Sequence, residues 1–139
     1  MTDKPQAHNI DAEESLLSAL MIDNETIYEI DALDSKDFYK PANGYIFDAI
    51  QTLIAKQQPA DLVTVATYLD DENKLKAVGG STYLAQIADS SPMALNTKHY
   101  AQIIKDCAVK REITLMLLKA LDLSQSTAGV NDILHHVQS

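Results

Sequence analysis

Apolar residues recur along this chain at the three-and-four spacing of amphipathic helices. Leu16, Leu17, Leu20 and Met21 predict a first helix opening at Ile10 or Asp11, with Asp11, Glu13 and Glu14 as acids suited to its N-terminus. Asp23-Asn24 predicts a stop and a new cap, and Ile27 and Ile30 a short second helix. The stretch DSKDFYKPANGY predicts a connector with Phe38 and Tyr39 tucked into the core. Tyr45, Ile46, Ala49, Ile50, Leu53 and Ile54 then form one continuous stripe, the clearest helix in the pattern.

Pro59 closes that region, and Asp61 is placed to cap a helix striped by Leu62, Val65, Ala66 and Leu69. Val63, Thr64, Val65 and Thr67 carry strand propensity, but the i, i+3, i+4, i+7 spacing selects helix. After a short piece from Leu75 to Val78, Gly79-Gly80 breaks the chain. A further helix runs through Tyr83, Leu84, Ile87 and Ala88 until Ser90-Ser91-Pro92. Asn96 or Thr97 caps a long helix with Tyr100, Ile103, Ile104, Cys107 and Ala108 on one face, and Gly129 separates it from a last short helix, Val130 to Val137.

The second half of the long helix departs from the pattern. Between Ile113 and Leu123 eight of eleven residues are apolar, so a single dry face cannot hold them all. At about 100° per residue, Arg111, Glu112, Lys119 and Asp122 share one arc around Leu115, and the rest of the circumference is apolar. A helix from about Thr97 to Leu123 would be roughly 40 Å long. A compact chain of this size has a radius of gyration of about 14 Å. The helix therefore either breaks, leaving the segment as a buried core helix, or projects from the globule; if it projects, its far half needs a cover, the last helix folded back as a hairpin and another protein chain. Ile113, Met116, Leu117, Ala120 and Leu121 are the expected self-association residues. The expected fold class is all-α, with a compact helical head (1–95) and a hairpin (96–139) whose second helix is cut short.

Charge narrows the partners. Twenty acids against eleven Lys and Arg give a net charge of −9. Phosphate neutralisation calls for clustered cations, so no direct nucleic-acid contact is expected, and a protein partner is favoured. Cys107 is the single cysteine, which points to a reducing compartment and, with no apolar signal core or long apolar run, to a cytoplasmic protein outside any membrane. No catalytic, cofactor or metal constellation stands out. The chain has no GxxxxGK[ST] loop. Gly79-Gly80 precedes a helix without the lysine a phosphate loop uses. His135 and His136 are adjacent, and so diverge on a helix. Asp70-Asp71-Glu72 suits a solvated helix end.

Five segments in order resemble one family. Pro5 to Met21 (PQAHNIDAEESLLSALM), Asp37-Phe38-Tyr39 with Ile46-Phe47, and Pro59 to Leu69 (PADLVTVATYL) are three of them. Val78 to Leu84 (VGGSTYL), and Asn96 with Tyr100-Ala101 and Lys110-Arg111-Glu112, are the others. Together they resemble the N-terminal domain of the DnaB-type bacterial replicative helicase over nearly the whole chain. Asn43 stands where that family often has histidine, and Ala60 where it often has Ile or Val.

The resemblance implies a helical head and a hairpin that pairs with a second copy, three pairs forming the collar of a hexamer. It implies recruitment of the primase C-terminal domain, with Asp11, Tyr83, Ile113 and Met116 as contact residues. ATP and Mg would act in an ATPase domain that this chain does not contain. The chain itself would not be an enzyme. Two alternatives stay open: a stand-alone phage or plasmid adaptor that copies the collar, and the helicase-binding domain of primase itself.

Overall fold

The computed structural model describes residues 6–90, 96–126 and 129–138. Six α-helices and two 3₁₀ turns account for the regular structure among them, in line with the all-α pattern. None of these helices is long and apolar enough to cross a membrane.

Helix α1 (Ile10–Ile22) starts where Asn9 accepts the Ala12 N–H at 2.9 Å, satisfying one of the free donors of the first turn. The short helix predicted after Asp23 is a 3₁₀ turn, Asn24–Glu29. Six residues are too few to repay nucleation of an α-helix. Moreover, the Asn24 amide is engaged elsewhere: it donates to Leu20 O and Ala60 O and accepts from Ala60 N–H, fixing the approach to the third helix.

The predicted connector is more ordered than its sequence suggests. Asp34 and Asp37 form a reciprocal capping box around the 3₁₀ turn Ser35–Asp37. Helix α2 (Pro41–Ala55) begins four residues before the stripe does, with Pro41 in its first turn. It is wedged between α1, α3 and the Ser35–Asp37 turn, so its buried arc is broad: Ile46, Phe47, Ala49, Ile50 and Leu53 are inside while Tyr45 stays on the surface. Gly44 makes the close approach possible. A Cβ there would lie 2.5 Å from the Ser35 carbonyl oxygen.

Asp61 caps α3 (Leu62–Asp71) in a box with Thr64, and Val65 and Leu69 are buried, so periodicity outweighs the β-branched composition. Asp70, Asp71 and Glu72 are exposed at its end. Gly79, at φ +105°, turns the chain into α4 (Gly80–Asp89), whose Leu84 and Ile87 enter the core. Ser90 follows the helix; Ser91 and Pro92, and Pro5 at the other end, lie outside the described residues.

Asn96 accepts the His99 N–H at the start of α5 (Thr97–Ser124), about 42 Å long at 1.5 Å per residue. Its first turns pack on α1, placing Ala101 and Ile104 in the common core with Leu16, Leu17, Ile46 and Phe47. Ala108 is the last buried residue of α5. Helix α6 (Val130–Gln138) packs back along α5 as the other arm of a hairpin, with no buried residue of its own.

Candidate functional site

The far half of α5 holds the first candidate surface. At about 100° per residue, the head-facing residues Thr97, Ala101, Ile104 and Ala108 point to one side of the helix. Ile113, Met116, Leu117, Ala120 and Leu121 point to nearly the opposite side, about 160° away. The apolar stripe thus changes sides where the helix leaves the head. Leu117 is 62% exposed, Ile113 50%, Leu121 40% and Met116 37%; Ala120 is half-buried. Leu115, set among charges by the sequence pattern, is also exposed.

Helix α6 adds to this surface. Ile133 and His136 are half-buried, while Val130, Leu134 and Val137 stay exposed. The sequence reading did not single these three out, although their i, i+4, i+7 spacing places them on one face of α6. Both helices of the hairpin therefore expose large apolar side chains.

The root of the hairpin is clamped. Arg111 donates to Ala7 O at 2.8 Å and Asp37 O at 2.6 Å, and its guanidinium lies 5.6 Å from the centre of the Tyr39 ring. His8 stacks on Tyr39 at 4.1 Å. Lys105, on the same helix, pairs with the buried carboxylate of Asp37 at 3.2 Å. Arg111 is therefore a fastener between hairpin and head, not a member of a solvated arc. Tyr39 is a surface platform beneath it, not a core residue as the sequence suggested; only Phe38 turns inward, against Phe47.

A second cluster lies on the head. The carboxylate of Glu13 is only 2% exposed, so it needs donors. It receives the N–H groups of Tyr39 at 2.7 Å and Lys40 at 3.3 Å, and Asn43 Nδ2 at 2.9 Å. Asn43, fully buried, turns its Oδ1 to the Tyr83 hydroxyl at 2.6 Å. That hydroxyl is also 3.3 Å from Glu14 Oε1, and Lys40 Nζ sits 3.8 Å over the Tyr83 ring. Burial pushes the Tyr83 hydroxyl above the usual phenol range, with Lys40 pulling partly the other way. Gly79 supplies the room: a Cβ there would meet Tyr83 Cβ at 2.9 Å.

The four expected partner-contact residues fall in two places. Asp11, exposed on α1, and Tyr83, half-buried on α4, belong to the head; Ile113 and Met116 belong to the hairpin. Among the described residues no group of three or more His, Cys, Asp or Glu could hold a metal ion.

The architecture is a helical head fastened to a hairpin whose apolar stripe is turned away from the head. Residues 5–106 match the family model for the DnaB-like helicase N terminal domain, and the chain belongs to that family. It is 37% identical over 103 residues to the replicative DNA helicase DnaB of Mycobacterium leprae, and 34% identical over 106 residues to that of Geobacillus stearothermophilus. These stretches cover 73% and 76% of this chain but only 17% and 23% of the two relatives.

Among solved structures, the N-terminal domain of DnaB helicase from Mycobacterium tuberculosis superposes with a TM-score of 0.90 at 30% identity, covering 96% of both chains. The N-terminal domain of DnaB helicase from Helicobacter pylori, described with its interactions with primase, shares the fold at a TM-score of 0.73 and 24% identity, covering 84% of this chain and 91% of that one. The family match selects the helicase over the primase domain that the sequence left open.

Proposed function

We propose that this chain serves as the collar domain of a bacterial replicative helicase: it pairs with a second copy through the hairpin and recruits primase. The observation that carries the pairing is the change of side in α5. A stripe of large apolar residues on the side away from the head has no neighbour within the head to cover it. In this reading residues 1–95 form the head and 96–139 the hairpin, with the first turns of α5 shared between them. Ile113, Met116, Leu117, Ala120 and Leu121 meet a second copy about a two-fold axis, which buries each residue twice. Three such pairs would form the collar of a hexamer.

The primase assignment rests on family membership and on the relatives of like fold described with primase. Asp11, Tyr83, Ile113 and Met116 are its contact residues. ATP hydrolysis, with its Mg, and DNA translocation belong to the rest of the parent helicase in this reading, and the site of action is the bacterial cytoplasm. A phage or plasmid adaptor built on the same domain would use the same two surfaces. Calorimetry with the C-terminal domain of the cognate primase tests the recruitment. Saturable binding at micromolar concentrations, weakened by Ile113→Asp, is expected; no complex at those concentrations would remove primase from the account.

A further inference from the structure

The Glu13–Asn43–Tyr83 chain does more than fill the head. Its polarity runs one way. Glu13 accepts from all three of its described partners, so Asn43 must turn its amide nitrogen to Glu13 and its carbonyl oxygen to Tyr83. The single Tyr83 proton can serve only one of its two acceptors, and Asn43 Oδ1 at 2.6 Å takes it in preference to Glu14 Oε1 at 3.3 Å. Glu13 is in turn held by the backbone of residues 39 and 40, at the corner that Arg111 and Lys105 grip through Asp37. The outer end of the chain is half-exposed: the Tyr83 ring, with Lys40 over its face and Glu14 at its edge.

We infer that Glu13 and Asn43 are positioning residues that fix the Tyr83 ring and the Lys40 ammonium in the orientation the protein partner reads. The inference rests on the recruitment reading above and assigns roles to two buried residues that touch no partner themselves. It follows from the cost of the alternative. A tyrosine whose hydroxyl has lost its acceptor at 2.6 Å is left with the Glu14 carboxylate, 3.3 Å away, swings toward it, and the Lys40 contact turns with the ring. The partner must then restore the ring at the expense of affinity.

The test is calorimetry of the whole 139-residue chain with the primase C-terminal domain, on Asn43→Ala, Tyr83→Phe, the double variant and Asn43→His. Removing one hydrogen bond should weaken binding by roughly three- to tenfold. Both single variants break the same link, so the double variant should lose no more than the worse single one. A neutral imidazole carries one donor and one acceptor, so Asn43→His at pH 8 should regain affinity to within about twofold of the parent. Self-association through the hairpin should not change in any variant.

Parent-like affinity in Asn43→Ala and Tyr83→Phe, even with a lowered melting temperature, would reduce the chain to a structural role and overturn the inference. Additive losses would overturn it as well. If Asn43→Ala does not fold, Tyr83→Phe decides, since it keeps the buried volume nearly filled; Asn43→His, larger than the residue it replaces, counts where its circular dichroism matches the parent. A parent chain that binds no primase domain would overturn the recruitment reading, and the positioning role with it. That outcome is distinct from a parent that binds with variants that bind equally well.

Discussion

One helix belongs to two environments. Over its first turns α5 buries Thr97, Ala101, Ile104 and Ala108 against the head; beyond Ala108 every residue of the helix is half-buried or exposed, although apolar residues become denser there. Burial of apolar area gives roughly 25 cal/mol per Å², and it does so only where a neighbour removes the water. The sparse half of the helix is therefore the stabilising half. The rich half holds apolar surface that the head leaves exposed. Hydrophobicity along a sequence reports what will be covered; only the direction of the stripe relative to the core reports by what.

The contrast can be broken most strongly in the head. Leu16 is fully buried, and Leu16→Ala should cost about 2–5 kcal/mol in chemical denaturation, with a matching fall in midpoint. Leu117→Ala, at 62% exposure, should cost less than about 0.5 kcal/mol in dilute solution. Equal costs would place Leu117 in the same core as Leu16.

Glu13→Gln comes next. It turns an amide nitrogen against donors of the Tyr39–Asn43 corner, and a loss of about 1.5–3 kcal/mol is expected by urea unfolding. Gly44→Ala forces a methyl against the Ser35 carbonyl and should cost about 1–3 kcal/mol, with a crystal structure showing the Ser35–Asp37 turn displaced from α2. The smallest effect has the opposite sign. Ser18 is fully buried and its hydroxyl has no hydrogen-bond partner among the described residues, so Ser18→Ala should raise stability by about 1 kcal/mol.

The sequence carried the local chemistry well. Asp61 and Asn96 announce their helices because a cap is read within three residues, and the stripes of α1 and α3 face the core they predict. What it hid was contact between side chains and distant backbone. Glu13 reads as an ordinary acid at a helix N-terminus, yet it holds groups 26 to 30 residues away. Arg111 reads as a solvated charge, yet its carbonyl partners lie 74 and 104 residues off. Backbone acceptors have no residue type, so no pattern marks them. The 3₁₀ turn at Asn24–Glu29 was hidden for a similar reason: its alternative to α-helix is an Asn24–Ala60 pairing set by tertiary structure. The stripe in the far half of α5 was visible, whereas its orientation away from the head emerged only with the fold.

Sedimentation equilibrium on the parent chain and on Leu117→Lys tests the central claim most directly. Each large side chain fully buried between two copies contributes roughly 1.5–3 kcal/mol before the entropic cost of association. The parent should show a monomer–dimer equilibrium with a Kd of about micromolar or weaker. Leu117→Lys should remain monomeric at every concentration while its circular dichroism stays that of the parent. A parent that stays monomeric at about millimolar concentration, or a Leu117→Lys chain that unfolds, would contradict the account.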